Sequence, residues 1–141
     1  MKKILSLTLV FCICILSLLS CSKLKDDPLG ISKALDEDYA VEMCTDNEEI
    51  EDFGDEFDIK SKGVYCILTA YPDSDDDDDD EELKMGWFVF CDKKKTAKEI
   101  EDDFNDLLDD EDYEDVFVRA TVERKGKVVF IGCEDVLDDL K

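Results

Sequence analysis

Residues 85–91 (Met-Gly-Trp-Phe-Val-Phe-Cys) form a run that is apolar at every position. A short apolar run bounded by polar segments predicts a β-strand that lies inside a sheet and is covered on both faces. No other feature of the chain restricts the fold as strongly. The remaining residues must supply neighbouring strands and the layers that cover them.

Two further segments predict strands on the N-terminal side of this run. Residues 64–71 (Val-Tyr-Cys-Ile-Leu-Thr-Ala-Tyr) are rich in β-forming residues and are followed by Pro72. Residues 39–44 alternate, with Tyr39, Val41 and Met43 on one face. We expect 64–71 and 85–91 to pair as a hairpin whose tip is the acidic segment between them.

A second hairpin is predicted near the C-terminus. Residues 116–123 alternate between apolar and polar or aromatic positions, which indicates a strand with one buried face. Lys125-Gly126 supplies a turn, and residues 127–131 return as the partner strand, which Gly132 ends.

The two N-terminal helices are predicted from their start signals. Asp27-Pro28 is typical of an N-cap followed by the first helical position, which predicts a helix over residues 28–37. Thr45 and Glu48 have the spacing of a capping box before a helix over residues 47–57. Gly54 within that helix costs about 1 kcal/mol relative to alanine.

Two more helices are predicted in the C-terminal half. Thr96 and Glu99 have capping-box spacing, and the apolar residues behind them recur every three to four positions, which predicts a helix over 96–109. Glu134 and Asp135 place negative charge at the start of a terminal helix.

The order of these elements predicts a fold class. Strands joined by hairpins, with helices between them, are typical of a small α+β domain with a mainly antiparallel sheet. We expect one domain over residues 28–141, with four to five strands and the helices packed on one face of the sheet.

The N-terminus has the composition of a secretory signal. Lys2 and Lys3 form a positive start, and residues 4–19 carry no charge. The apolar run is shorter than the about 20 residues that a membrane-spanning helix needs. A positive start, an apolar middle and a small residue near the end predict a cleaved signal peptide over residues 1–20.

The end of this run, Leu18-Leu19-Ser20-Cys21, resembles the lipobox of bacterial lipoproteins. An ordinary signal peptidase requires small residues at both −1 and −3, and Leu18 would occupy −3. In the lipobox family the cysteine thiol receives a diacylglyceryl group before cleavage. The resemblance therefore implies lipidation of Cys21; Leu19 departs slightly, because a small or β-branched residue is more usual there.

This resemblance implies a location for the whole domain. Two or more acyl chains on Cys21 would anchor the protein without a transmembrane helix, because one chain alone binds only marginally. Residues 21–27 would then be the lipidated cysteine and a short polar tether. The expected location is the cell envelope, at the outer face of a bacterial membrane. Which membrane stays open.

Charge restricts the possible partners. The 40 acidic and 17 basic residues give a net charge of −23, and cleavage before Cys21 removes two lysines and leaves −25. Such a field repels nucleic acids and anionic lipid head groups. Besides the membrane that holds the anchor, the expected partners are a basic protein or peptide, or weakly bound cations.

Residues 73–82 are acidic at every position except Ser74. Mutual repulsion predicts a disordered loop. Calcium prefers carboxylate oxygens, but an EF-hand loop that begins at Asp73 would have Asp78 at its glycine position and Lys84 at its glutamate position. We therefore expect no specific metal site, and low-affinity cation binding stays an alternative.

Four cysteines remain in the domain: Cys44, Cys66, Cys91 and Cys133. They contain no CxxC spacing, which disfavours a zinc or thioredoxin-like site. Outside the cytoplasm they could form two disulfides in any of three pairings. Alternatively, they are small buried residues of the sheet with free thiols. Both interpretations stay open.

No catalytic motif is found. The chain has no histidine, which removes the commonest general base and transition-metal ligand. No cofactor-binding fingerprint is present. We therefore expect a membrane-anchored, non-catalytic binding domain that uses no cofactor. An envelope hydrolase that uses paired carboxylates and a low-affinity calcium-binding protein are the alternatives.

Overall fold

A computed structural model describes residues 24–72, 84–110 and 119–140. It contains helices α1 (Pro28–Leu35), α2 (Asn47–Glu56), α3 (Lys94–Leu108) and α4 (Glu134–Asp138), and strands β1 (Tyr39–Cys44), β2 (Val64–Pro72), β3 (Gly86–Cys91), β4 (Ala120–Lys125) and β5 (Val128–Cys133). The predicted α+β class is confirmed.

The five strands form one antiparallel sheet in the order β1-β2-β3-β5-β4. The apolar strand β3 is the central strand, as its sequence predicts. Phe88 lies opposite Leu68 of β2 on one side and opposite Phe130 of β5 on the other. Both predicted hairpins are present, because β2 pairs with β3 and β4 pairs with β5.

Helices cover both faces of the sheet, so the prediction that they pack on one face is wrong. The first core layer joins α1 and α4 to Phe88, Phe90 and other residues of that face. The second joins α2 and α3 to Val89, Cys91 and their neighbours. The reason lies in β3: successive side chains point to opposite faces, and all of them are apolar, so each face needs its own cover.

The helix starts differ from the predicted capping boxes. In α2 the N-cap is Asp46 rather than Thr45, and its carboxylate accepts hydrogen bonds from the backbone N–H groups of Glu48 and Glu49. Helix α3 begins at Lys94, two residues before the predicted start, so Thr96 lies within its first turn. Its hydroxyl faces Asp92 Oδ1 at 3.5 Å.

Leu24 lies in the segment predicted to be a short polar tether, but it has no exposed surface and belongs to the core layer of α1 and α4. Lys25, Asp26 and Asp27, which follow it, are exposed. Burial of one leucine side chain stabilises the fold by about 1.5–3 kcal/mol, which holds this segment against the sheet.

Several predictions lie outside the residues that the structure describes. They are the signal peptide and Cys21, the acidic segment 73–82 and the first residues of the predicted strand 116–123. Within the described ranges, no helix has both the length and the apolar character needed to cross a membrane.

Candidate functional site

The four domain cysteines are free thiols at separate places in the sheet. Cys66 and Cys133 belong to the core layer of α1 and α4, whereas Cys91 belongs to that of α2 and α3. Cys66 is the third residue of β2, close to the end of the sheet at which β2 begins. Cys133 is the last residue of β5, at the opposite end of the sheet. Cys66, Cys91 and Cys133 are buried, whereas Cys44 is partly exposed. Disulfide pairing and buried free thiols both stay predictions.

The thiols differ in their exposure and surroundings. Burial raises the pKa of Cys66 to about 11 and that of Cys91 to about 12. Cys44 is partly exposed, and burial together with the hydrogen bond that its thiol donates to Glu49 (Sγ to Oε2, 3.1 Å) raises its pKa. None of these environments favours a reactive thiolate.

We expect thiol alkylation of the folded protein at pH 8 to modify Cys44 slowly and to leave Cys66 and Cys91 unmodified. Unfolded thiols ionise near pH 8.5. Because the folded pKa values are higher, the native state retains these protons, and stability falls as the pH rises above about 8.5. Mass spectrometry after alkylation of the native protein, and of the protein in denaturant, measures how far each thiol is modified in each state. Missing alkylation sites in unreduced, denatured protein would instead demonstrate disulfides.

The aromatic residues of β3 are core residues. Phe88 and Phe90 have no exposed surface, and the Phe88 ring lies 4.8 Å from that of Phe130. Trp87 is partly buried on the opposite face, where its ring centroid lies 5.4 Å from that of Phe57. These side chains fill the two core layers and do not line an open groove.

Lysines are concentrated at one end of the sheet. This end is formed by the start of β2, the end of β3 and the turn between β4 and β5, because these strands are antiparallel. We call it the basic end and define it by the lysines of four chain segments: Lys25, Lys60, Lys62, Lys93, Lys94, Lys95, Lys125 and Lys127. All are exposed except Lys127, which is partly buried.

The basic end contains a groove of about 470 Å³ between the start of β2 and the first turns of α3. Four lysines line it together with two acidic residues, Asp92 and Glu99. The lysines are Lys60, Lys62, Lys93 and Lys95. Gly63 also lines the groove, and its carbonyl accepts a hydrogen bond from the Asp92 N–H at 2.8 Å, which joins the start of β2 to the residue after β3. The positively polarised N-terminus of α3 adds to the potential of the lysines.

The opposite end of the sheet is acidic. We call it the acidic end; it comprises Asp36, Glu37, Asp38, Glu134, Asp135, Asp138 and Asp139. The phenol of Tyr39 donates a hydrogen bond to Asp139 Oδ2 at 2.8 Å, which ties the start of β1 to the residue after α4. Lys84 pairs with Asp135 at 3.6 Å. The segment 73–83, with nine acidic residues, leaves and rejoins the described chain here.

Neither alternative function is decided by these features. Within the described ranges, no group of three or more side chains is placed to hold a metal ion, and no Asp or Glu is buried. The hydrolase and the calcium-binding protein therefore stay predictions. The second rests on residues 73–82, which lie outside those ranges.

The net charge of the whole chain does not predict this separation of charge. The signal that was present is the run Lys93-Lys94-Lys95 at the end of a predicted strand, together with Lys60 and Lys62 before another. Antiparallel pairing of those two strands brings the two groups together.

Comparison with protein-family models, with curated proteins and with solved structures finds no match.

Proposed function

We propose that the chain is the precursor of a bacterial lipoprotein, anchored in the cell envelope through acyl chains on Cys21, whose domain acts by binding. The observation that carries this proposal is the cleavage box Leu18-Leu19-Ser20-Cys21 at the end of a positively started, uncharged run. The separation of charge between the two ends of the sheet supports binding, because each end offers a surface for partners of opposite charge.

The proposed cleavage site lies close to a core residue. Leu24 has no exposed surface and packs in the core layer of α1 and α4. Mature residues 21–23 are then all that separates the acyl chains from the first buried side chain.

The anchor is tested by changing Cys21→Ser in the full-length chain, expressed in a bacterium supplied with labelled fatty acid. We expect the change to abolish incorporation of the label and to move the protein from the detergent phase to the aqueous phase, because the serine hydroxyl does not replace the thiol as acyl acceptor. The matched control is Cys14→Ser, which makes the same chemical change seven residues earlier and should leave labelling intact. Undiminished labelling of the Cys21→Ser chain would refute the proposal.

A further inference from the structure

The described chain begins at the basic end. Only three residues separate the end of α1 from Tyr39, where β1 begins at the acidic end, and α1 packs on β1 and β2. Its eight residues rise about 12 Å, so its N-terminus and the preceding Leu24 lie away from the acidic end, toward the basic end. In agreement with this placement, Asp26 and Asp27 add to the effect of burial in raising the pKa of Tyr65 at the start of β2. Helix α1 leads away from there, toward β1 at the acidic end.

The distance from this point to the anchor is short. Three peptide units separate Cys21 from Leu24, and a fully extended chain spans at most about 3.6 Å per residue. The acylated cysteine therefore lies within about 11 Å of a residue that is fixed in the core. With so short a connection, the end of the domain that carries Leu24 must face the bilayer.

Three observations agree on the chemistry of that end. It carries the eight lysines of the basic end. Their acidic neighbours include Asp26, Asp27 and Asp92, together with Asp103, whose carboxylate accepts a hydrogen bond from the Lys60 N–H, and Glu99, which pairs with Lys95. It carries two exposed large apolar residues, Leu29 (62 % exposed) and Tyr65 (46 % exposed). Lysine next to exposed apolar and aromatic side chains is the composition of a surface that binds at an anionic lipid interface.

We propose that the basic end docks on the anionic phospholipid surface in which Cys21 is anchored, so that the acidic end points away from the membrane. This inference rests on the lipid anchor proposed above. It revises the expectation that the domain is repelled by anionic lipids, which used the net charge alone.

Screening explains why the net charge does not decide the orientation. At physiological ionic strength, interactions between exposed charges decay over about 8 Å. Strand β2 has nine residues, which corresponds to about 30 Å at 3.3 Å per residue. The acidic end therefore lies several screening lengths from a bilayer that touches the basic end, and the lysines determine the local interaction.

The test uses the acylated full mature protein, reconstituted in vesicles of phosphatidylcholine alone or of phosphatidylcholine with phosphatidylglycerol. Exposed amines are labelled with a membrane-impermeant reagent and quantified by peptide mass spectrometry. We expect phosphatidylglycerol to slow labelling of the groove lysines Lys60, Lys62, Lys93 and Lys95 about fivefold, the factor expected for one lysine at an anionic surface. High salt should restore labelling.

Lysines away from the basic end serve as internal controls. Lys33 lies in the last turn of α1, and Lys84 lies at the acidic end. Their labelling should not depend on lipid charge. Equal labelling of the groove lysines on both vesicles, or equal protection of Lys33 and Lys84, would overturn the docking proposal.

A charge-reversed variant tests the same surface. Lys62→Glu, Lys93→Glu and Lys95→Glu together should remove the protection that phosphatidylglycerol gives Lys60, whereas Lys33→Glu with Lys84→Glu should leave it unchanged. All five side chains are exposed, so we expect both variants to fold, which circular dichroism verifies. Protection of Lys60 that survives the triple change would count against docking.

Flotation separates failure of the anchor from failure of docking. An acylated protein floats with phosphatidylcholine vesicles whether or not it docks. If the protein does not float with them, the anchor proposal fails; flotation with phosphatidylglycerol-containing vesicles alone would then still support docking. Flotation with neither would overturn both proposals.

Discussion

Replacing Gly132 with alanine is expected to destabilise the domain by about 2–5 kcal/mol, from the combined cost of overpacking and of a positive φ. Gly132 has φ +148°, and a Cβ built there would lie 2.4 Å from both Gly86 Cα and the Met85 carbonyl oxygen. Both are backbone atoms of β3 and of the residue before it. The clash can be relieved only by moving the central strand away from β5.

Gly126→Ala is the matched control. It also has a positive φ (+61°), but a Cβ there would meet no atom within 4 Å. We expect it to cost only about 1–2 kcal/mol, the backbone penalty alone. Urea unfolding, followed by circular dichroism and by the fluorescence of Trp87, measures both variants. Equal losses for the two would show that the close approach of β3 and β5 does not contribute.

Replacing Phe130 with alanine is expected to cost about 3–5 kcal/mol. Phe130 has no exposed surface, packs against Phe88, and lies in the core layer between the sheet and α1 and α4. A loss of this size is a large part of the 5–15 kcal/mol that is typical of folded domains. Leu29→Ala, which removes an exposed side chain, should change stability by less than about 0.5 kcal/mol.

A double-mutant cycle with Gly86 makes this prediction more specific. A Cβ on Gly86 would lie 2.5 Å from Cε2 of Phe130, whose ring is buried and cannot turn aside. Gly86→Ala alone should cost about 1–3 kcal/mol by overpacking. In the Phe130→Ala background, the ring is absent and this cost should largely disappear. Additive effects of the two changes would contradict the packing of the ring on Gly86.

The positions of the strands follow from local sequence. The boundaries of β1 and β2 match the predicted segments to within a residue, because alternation and dense β-formers persist over their whole length. The boundaries of β3 were equally clear, since polar residues bound an apolar run. The fourth predicted strand covers residues 116–123, of which 116–118 lie outside the described ranges. Within those ranges, β4 begins at Ala120.

Helix starts were predicted less well, because several residues near each start can act as caps. Thr45 and Asp46 are both good N-cap residues, and in the structure the cap is Asp46, whose carboxylate accepts hydrogen bonds from the N–H groups of Glu48 and Glu49. Helix α3 begins at Lys94 without a side-chain cap, since it follows β3 with only Asp92 and Lys93 between them. Local spacing alone favoured Thr96 in its place.

The sequence by itself determined the strands, the α+β class and the burial of Phe88 and Phe90 in β3. These depend on patterns among neighbouring residues. Only the tertiary structure decided that helices cover both faces, that Leu24 is a core residue, and that the lysines of four segments share one end of the sheet. Each depends on pairing between distant strands, because antiparallel register determines which loops and chain ends meet. A net charge of −23 is the same for every such arrangement, whereas the position of the lysines is not.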